Sequence, residues 1–429
     1  MKQEQLARKL SKWRRDFHQF PETGFLEMRT ASIVAATLDE LGFHLQYGRE
    51  VMSEDHCMGK PDEEETKEHY EWAKNNGANL KYLHHFREGY TGIVATWDSG
   101  KKGPTVAIRV DMDALDIHET EVENHVPNME GFRSVVPNKM HACGHDAHTA
   151  IGLGLAAMIS ENKEQLTGRI KLIFQPAEEG TRGAKSMVKA GVVTDVDYFI
   201  AIHIGTGVPK HHFVAANNGF FATSKLDITF NGVASHAGGK PEEGRNALLA
   251  AATAVQNIFA ISRHSSGATR VNVGILQAGT GRNIIPNQAI LKMETRGETS
   301  SINEYLREHV KAIVEGAAKM YNIDYEMNLV GEAKSCTCSK ELAKRLHTVA
   351  ESHPFIEQSV VENNNQAGSE DATFFIEEVQ QNGGQATYCI IGTELAAGHH
   401  NEKFDIHEDT LLPAVEILYN AIVKLTETN

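Results

Sequence analysis

Residues 140–149 read Met140-His141-Ala142-Cys143-Gly144-His145-Asp146-Ala147-His148-Thr149. One thiol, three imidazoles and one carboxylate are crowded there, just before a stretch at 147–159 whose Ala, Ile and Leu residues predict a helix. The cluster therefore stands at a helix start. Thiolate and neutral imidazole are the donors that zinc-class ions prefer. A helix N-terminus would in addition lower the pKa of the Cys143 thiol.

Working outward, apolar runs at 105–110, 169–174 and 197–203 read as buried strands alternating with helices, and the rhythm resumes at 370–379, 386–391 and 411–425. That order predicts an α/β layered fold with a mainly parallel sheet. In such sheets chemistry gathers at the carboxyl ends of strands. Asp111 and Asp113 follow the first of these strands. Glu178 and Glu179, in Pro176-Ala177-Glu178-Glu179-Gly180, follow the second. His203 ends the third, and His399-His400 follow the last strand. The succession Cys, His, Glu-Glu, His, His outlines a two-metal hydrolase. One glutamate would bind metal while its neighbour stays available as a base, and two ions about 3.5–4 Å apart would acidify a water. Each residue has an ordinary reading too: a buried Cys, capping histidines, a solvated Glu pair, a core His. Their joint placement at strand ends favours a single site.

Two N-terminal helices are expected, at 6–17 and 31–41, the second capped by Thr30 and stopped at Gly42. Residues 51–90 are rich in Glu, Lys, His and Asn and read as an exposed insertion. Residues 218–332 break the α/β rhythm with the order β-α-β-β-α-β, a ferredoxin-like domain. The expected division is 1–217 and 333–429 for a catalytic domain, with 218–332 inserted. Inside the insert, Ser235-His236-Ala237-Gly238, the loop 279–286 with Asn283, and Arg296 combine imidazole, amide and guanidinium, a set suited to a carboxylate or an oxyanion.

The chain of 429 residues is 41% hydrophobic and 23% charged, with a net charge of −15. That balance argues against nucleic acid as a partner. The N-terminus lacks a signal-peptide core, and the longest apolar run, 150–159, is too short to span a bilayer, so no membrane role and a cytoplasmic location are expected. Five sparse cysteines form no disulfide framework.

The stretch 140–149, the block Phe174-Gln175-Pro176-Ala177-Glu178-Glu179-Gly180, the tetrad Ala234-Ser235-His236-Ala237 and Asp16-Phe17-His18 near the start resemble the M20 metallopeptidase family in its amidohydrolase branch. The segments 49–92, 203–207 and 396–404 are similar to branch members acting on p-aminobenzoyl-glutamate. The resemblance implies a zinc-peptidase-like, phosphorylase/hydrolase-like α/β catalytic domain with an α+β ferredoxin-like lid that dimerises. It implies two divalent ions, Mn2+ or Zn2+, held by Cys143, His145, Glu179, His203 and His400, with Glu178 as general base. His400 is taken over His399 because the family's ligand lies four residues before an aromatic, here Phe404. His236, supplied by a partner subunit, would steady the oxyanion. Asn283 and Arg296 would hold the substrate's carboxylate or carbonyl, and Asp113 would support the ligands. Asp111 stands where the exopeptidase branches carry a ligand histidine, and Cys143 replaces their bridging aspartate. The implied reaction is hydrolysis of an N-acyl or N-aroyl amino acid, a small anionic amide, by a homodimer or by a heterodimer with a related subunit. N-acyl amino acids, N-acetyl-diaminopimelate and dipeptides are the alternative substrates, and a metal-binding regulatory subunit is the non-enzymatic alternative.

Overall fold

The computed structural model describes residues 3–365 and 368–427. The chain folds as two compact units. The first comprises the chain up to Asn218, Thr337–Asn365 and the chain from Asp371 on; the second comprises Gly219–Cys336 and a short return ending at Glu370. That return was not foreseen, because residues 366–370 carry no periodic signal to distinguish them from the surrounding loop.

The first unit is built on strands β1 (His44–Tyr47), β2 (Ile93–Asp98), β3 (Thr105–Asp111), β4 (Arg169–Gln175), β5 (Tyr198–Ile204) and β6 (His212–Val214), and on β11 (Gln358–Val360) and β12 (Gln385–Ile391). They form one sheet in the order β1-β2-β4-β3-β5-β12-β6-β11. The middle strands β4, β3, β5 and β12 are mutually parallel, while β1 and β2 join antiparallel at one side. Every residue of β3 is buried, as are the last six of β5 and of β12. Such doubly covered strands read as unbroken apolar runs rather than alternating ones. The helix His145–Glu161 lies on this sheet, and Gly152 lets it come close. A Cβ there would fall 2.8 Å from the Phe174 ring and 2.9 Å from Val110.

Two sequence expectations are corrected in this unit. Thr30 does not cap the second helix, which spans Met28–Glu40 and begins before it. The Thr30 hydroxyl is buried without a hydrogen-bond partner. Instead the distant Glu22 carboxylate accepts the Arg29 and Thr30 N–H groups at 2.8 and 2.7 Å. Nor is 51–90 simply exposed. It carries a helix, Glu63–Asn75, capped by Asp62, and buries Met52, Met58, Tyr82, Leu83 and Phe86. The polar residues of this segment cover one face and conceal an apolar one.

The second unit contains β7 (Ala222–Asn231), β8 (Thr269–Ala278), β9 (Gln288–Gly297) and β10 (Asp324–Ala333), with helices Ala247–Phe259 and Ser300–Met320 between them. The antiparallel order β10-β7-β9-β8 is that of a ferredoxin-like sheet. Alternation along β7 puts Leu226, Ile228 and Phe230 into a core with Ala250, Ala254, Leu306 and Val310.

Candidate metal centre

The four central strands deliver their chemistry to one edge. β3 ends at Asp111, with Asp113 just beyond. β4 runs into the Glu178–Glu179 turn, β5 carries His203, and β12 leads to the His399–His400 loop. Cys143, Glu179 and His400 bring a sulfur, a carboxylate oxygen and a ring nitrogen within 4.8 Å of one another. The same limit encloses Cys143 with His203 and His399, His145 with Glu178 and Glu179, and His145 with His148 and His203. Cys143, His145, His203, Glu178 and Glu179 each belong to two such groups, so the groups overlap in one continuous cluster.

Hydrogen bonds separate the nitrogens that are open to a ligand from those already committed. His145 Nδ1–H donates to the Asp113 carbonyl at 2.9 Å, and its buried Nε2 has no hydrogen-bond partner. His203 Nδ1–H donates to the Ile204 carbonyl at 2.8 Å, leaving Nε2 3.6 Å from Cys143 Sγ. Metal-ligating histidines characteristically spend their second nitrogen in this way. His148 is different: its Nε2 accepts the Ile204 N–H at 3.0 Å and its Nδ1 donates to Asp111 at 2.6 Å. Both of its nitrogens are committed. His399 Nε2 likewise accepts the Thr206 N–H at 2.9 Å, so its Nδ1, 3.5 Å from Cys143 Sγ, carries the proton. His400 Nε2 lies 3.3 Å from Glu179 Oε1, a buried oxygen without a hydrogen-bond partner. His400 adopts φ 63°, and its N–H donates to the Ala142 carbonyl at 2.8 Å. A non-glycine residue in that region marks a conformation imposed by its surroundings.

Asp113 organises the turn opposite. Its Oδ1 accepts the Glu178 N–H at 3.0 Å, and its Oδ2 accepts the Glu179 N–H at 2.9 Å. Glu178 Oε2 then sits 3.9 Å from His145 Nε2.

The electrostatics correct one expectation. Burial, followed by the Glu179 carboxylate, pushes the Cys143 thiol up rather than down, so the helix start alone does not make a thiolate. The Cys143 sulfur and the Glu179 carboxylate beside it raise His400 to about 10. His145 is raised as well, its burial outweighed by Asp111, Asp113 and Cys143. Burial drives His203 down, and burial with neighbouring histidines takes His399 to about 4. The neighbouring acids, Asp111 and Asp113 at His145 and Glu179 at His400, favour positive charge at this edge. Divalent cations would supply the same charge and would turn Nε2 of both rings into ligands. Sulfur, imidazole and carboxylate donors in this ratio suit such ions.

The lid unit holds the remaining predicted residues. His236 is exposed, and its Nδ1 accepts the N–H groups of Gly238 and Gly239 at 3.1 and 2.9 Å. The proton therefore resides on Nε2. The exposed Asn283 lies on the adjoining loop, its carbonyl accepting the Ala237 N–H at 3.0 Å. Arg296 is engaged by Glu294 through two bonds of 2.9 and 3.2 Å, a partner that the sequence reading did not anticipate.

The model of peptidase family M20/M25/M40 matches residues 107–424. The chain belongs to that family. Over 96% of its length this M20 chain is 53% identical to an indole-3-acetyl-aspartic acid hydrolase of Enterobacter agglomerans, covering 95% of that protein. It is 52% identical to a p-aminobenzoyl-glutamate hydrolase subunit of Escherichia coli, again covering 96% of the chain and 95% of the relative. A solved structure of an aminobenzoyl-glutamate utilization protein from Klebsiella pneumoniae superposes with a TM-score of 0.87 at 47% identity, covering 98% of this chain and 97% of that one. The M20 chain is a metal-dependent hydrolase of amide bonds. The sequence reading gave no role to Arg14 and Asp405, which meet Asp146 in a buried ion-pair network. The one signal was the charge of Arg14 on the apolar face of its helix, with Leu6, Leu10 and Phe17.

Proposed function

We propose that this chain hydrolyses the amide joining an aromatic acyl group to an acidic amino acid, with p-aminobenzoyl-glutamate as the expected substrate. The observation that carries the metal chemistry is the buried His145 Nε2, without a hydrogen-bond partner and grouped with Glu178 and Glu179 in a set that shares Glu179 with the Cys143–Glu179–His400 group. The substrate class rests on the relatives named above, whose substrates are aromatic-acyl conjugates of aspartate or glutamate. Two divalent ions, Mn2+ or Zn2+, would be held by Cys143, His145, Glu179, His203 and His400. When bound, they polarise the scissile carbonyl and acidify water.

Glu178 is the proposed base. It would take a proton from the attacking water and return it to the leaving amine of the amino acid. Its backbone is set by Asp113. His236 Nε2–H is the donor we assign to the oxyanion, with its tautomer held by Gly238 and Gly239. Asn283 is the amide contact for the substrate's carboxylate or carbonyl. At Arg296 a substrate carboxylate would have to displace Glu294.

A second copy, or a related subunit, would dock on the lid. There β8 is an edge strand, and Leu248, Leu249, Ile275 and Leu276 are 37–48% exposed. Free thiols at all five cysteines support a cytoplasmic setting, and no helix among the described residues is long and apolar enough to cross a membrane. The deciding assay offers p-aminobenzoyl-glutamate, indole-3-acetyl-aspartate and N-acetyl amino acids to the chain loaded with Mn2+ or Zn2+, alone and with any paralogue. Aroyl-glutamate turnover at least tenfold above the acetyl series supports the reading. Preference for the acetyl series overturns it.

A further inference from the structure

Behind the metal centre lies a buried charge network that the reaction does not use. Arg14, 0% exposed, extends from the helix Gln3–Gln19. Its Nε donates to Asp146 Oδ2 at 2.9 Å, and its Nη2 donates to Asp405 Oδ1 at 2.5 Å. These two acids belong to the two chain segments that carry the metal-ligand candidates. Asp146 adjoins His145, and its Oδ1 accepts the Ala147 N–H at 2.9 Å, fixing the first turn of the helix behind Cys143. Asp405 follows Phe404 in the loop that carries His400, and its carbonyl accepts the Ala396 N–H at 2.9 Å, closing that loop at its base. The two segments are 259 residues apart in sequence, counted from Asp146 to Asp405. His18 and Glu408 complete the surroundings of Arg14, at 3.4 Å each.

Burying a guanidinium with two carboxylates is a poor way to gain stability. The desolvation of such groups commonly cancels their attraction, and apolar replacements are often neutral or better. The best-attested return on such a network is registry. A planar guanidinium that holds one acid through Nε and another through Nη2 is a strut of set length, which a flexible ammonium does not reproduce.

We infer that Arg14 is a positioning residue that holds the Cys143–His145 segment and the His400 loop at the separation required to bind metal. The inference rests on the metal-centre reading above. It predicts that breaking the strut weakens metal binding more than it weakens the fold.

The test uses the full chain, stripped of metal and titrated with Mn2+ and Zn2+ by calorimetry, in wild type, Arg14→Lys, Arg14→Gln and Asp405→Asn. Cobalt(II) loading adds a signature for Cys143, the thiolate charge-transfer absorption. Expected are a far-ultraviolet circular dichroism spectrum like that of wild type, a metal dissociation constant raised at least tenfold and a weaker thiolate–cobalt band. Should Arg14→Gln fail to fold, Asp405→Asn decides, since it takes the charge from the link to the His400 loop and leaves the Arg14–Asp146 pair in place. A folded Asp405→Asn or Arg14→Lys chain with wild-type metal affinity and an unchanged cobalt band overturns the inference. A wild-type chain that binds no metal would instead overturn the metal-centre reading itself.

Discussion

Asp113 shows how much one carboxylate can arrange. Its two oxygens hold the backbone of Glu178 and Glu179, and its own carbonyl fixes the His145 tautomer. The proposed base and ligands are thereby oriented from one residue, whereas the role proposed for Glu178 is only to move a proton. The two should separate in mutants. Glu178→Gln should lower kcat by at least about a hundredfold with metal content unchanged, as read by elemental analysis of the purified protein. Retained turnover in a metal-loaded Glu178→Gln chain would remove Glu178 from the proposed role. Asp113→Ala should lose both metal affinity and kcat, because the Glu-Glu turn and the His145 ring are released together. Normal metal affinity in that variant would show that the turn holds itself.

At the scale of elements, legibility depended on whether the signal was local. The parallel strands, the helix after Cys143 and the β-α-β-β-α-β order could be read because periodicity and burial pattern lie within each segment. From local spacing alone His148 and His399 look like their histidine neighbours, because the Ile204 and Thr206 N–H groups that occupy one nitrogen of each are remote in sequence. The cap of the helix Met28–Glu40 was misread for the same reason: Glu22 supplies it from outside any capping-box spacing. Thr30→Val tests this. A true N-cap would cost about 1 kcal/mol on removal, whereas a buried hydroxyl without a partner should leave the melting temperature unchanged or raised. Gly144 offers the opposite case. It precedes the helix His145–Glu161 with φ 89°, and a Cβ there would meet Ile204 at 3.1 Å. Gly144→Ala should therefore destabilise by about 1–2 kcal/mol, seen as a lower calorimetric midpoint. An unaltered midpoint would mean that the turn relaxes freely.

For the whole molecule, the charges around His18 set a pH window. His18 lies between Asp146 and Glu119, at 2.8 and 3.0 Å. Burial and Arg14 push it down, but its hydrogen bonds to the two carboxylates prevail and raise it from 6.5 to about 9. A raised pKa means that this contribution is complete below 6.5 and is lost as pH rises through about 9. Glu119 runs the other way. Burial would raise it, yet His125 and His18 hold it at about 2, so its contribution is present above 4.5 and fades as pH falls toward that value. The metal-free chain should accordingly melt at progressively lower temperature between pH 7 and about 9.5, and His18→Gln should flatten that slope. Parallel slopes in the two proteins would show that His18 does not titrate in this range.

The order of the chain has a consequence for biosynthesis. Every strand of the lid sheet has been translated by Ala333, whereas β12, which stands between β5 and β6, waits until Ile391, and the helix Leu411–Thr426 comes last. On the ribosome the lid can close while the surface of β5 that β12 will cover is still bare. The nascent polypeptide therefore carries a finished domain and an open, aggregation-prone sheet edge for about sixty codons, a state that chaperones would guard.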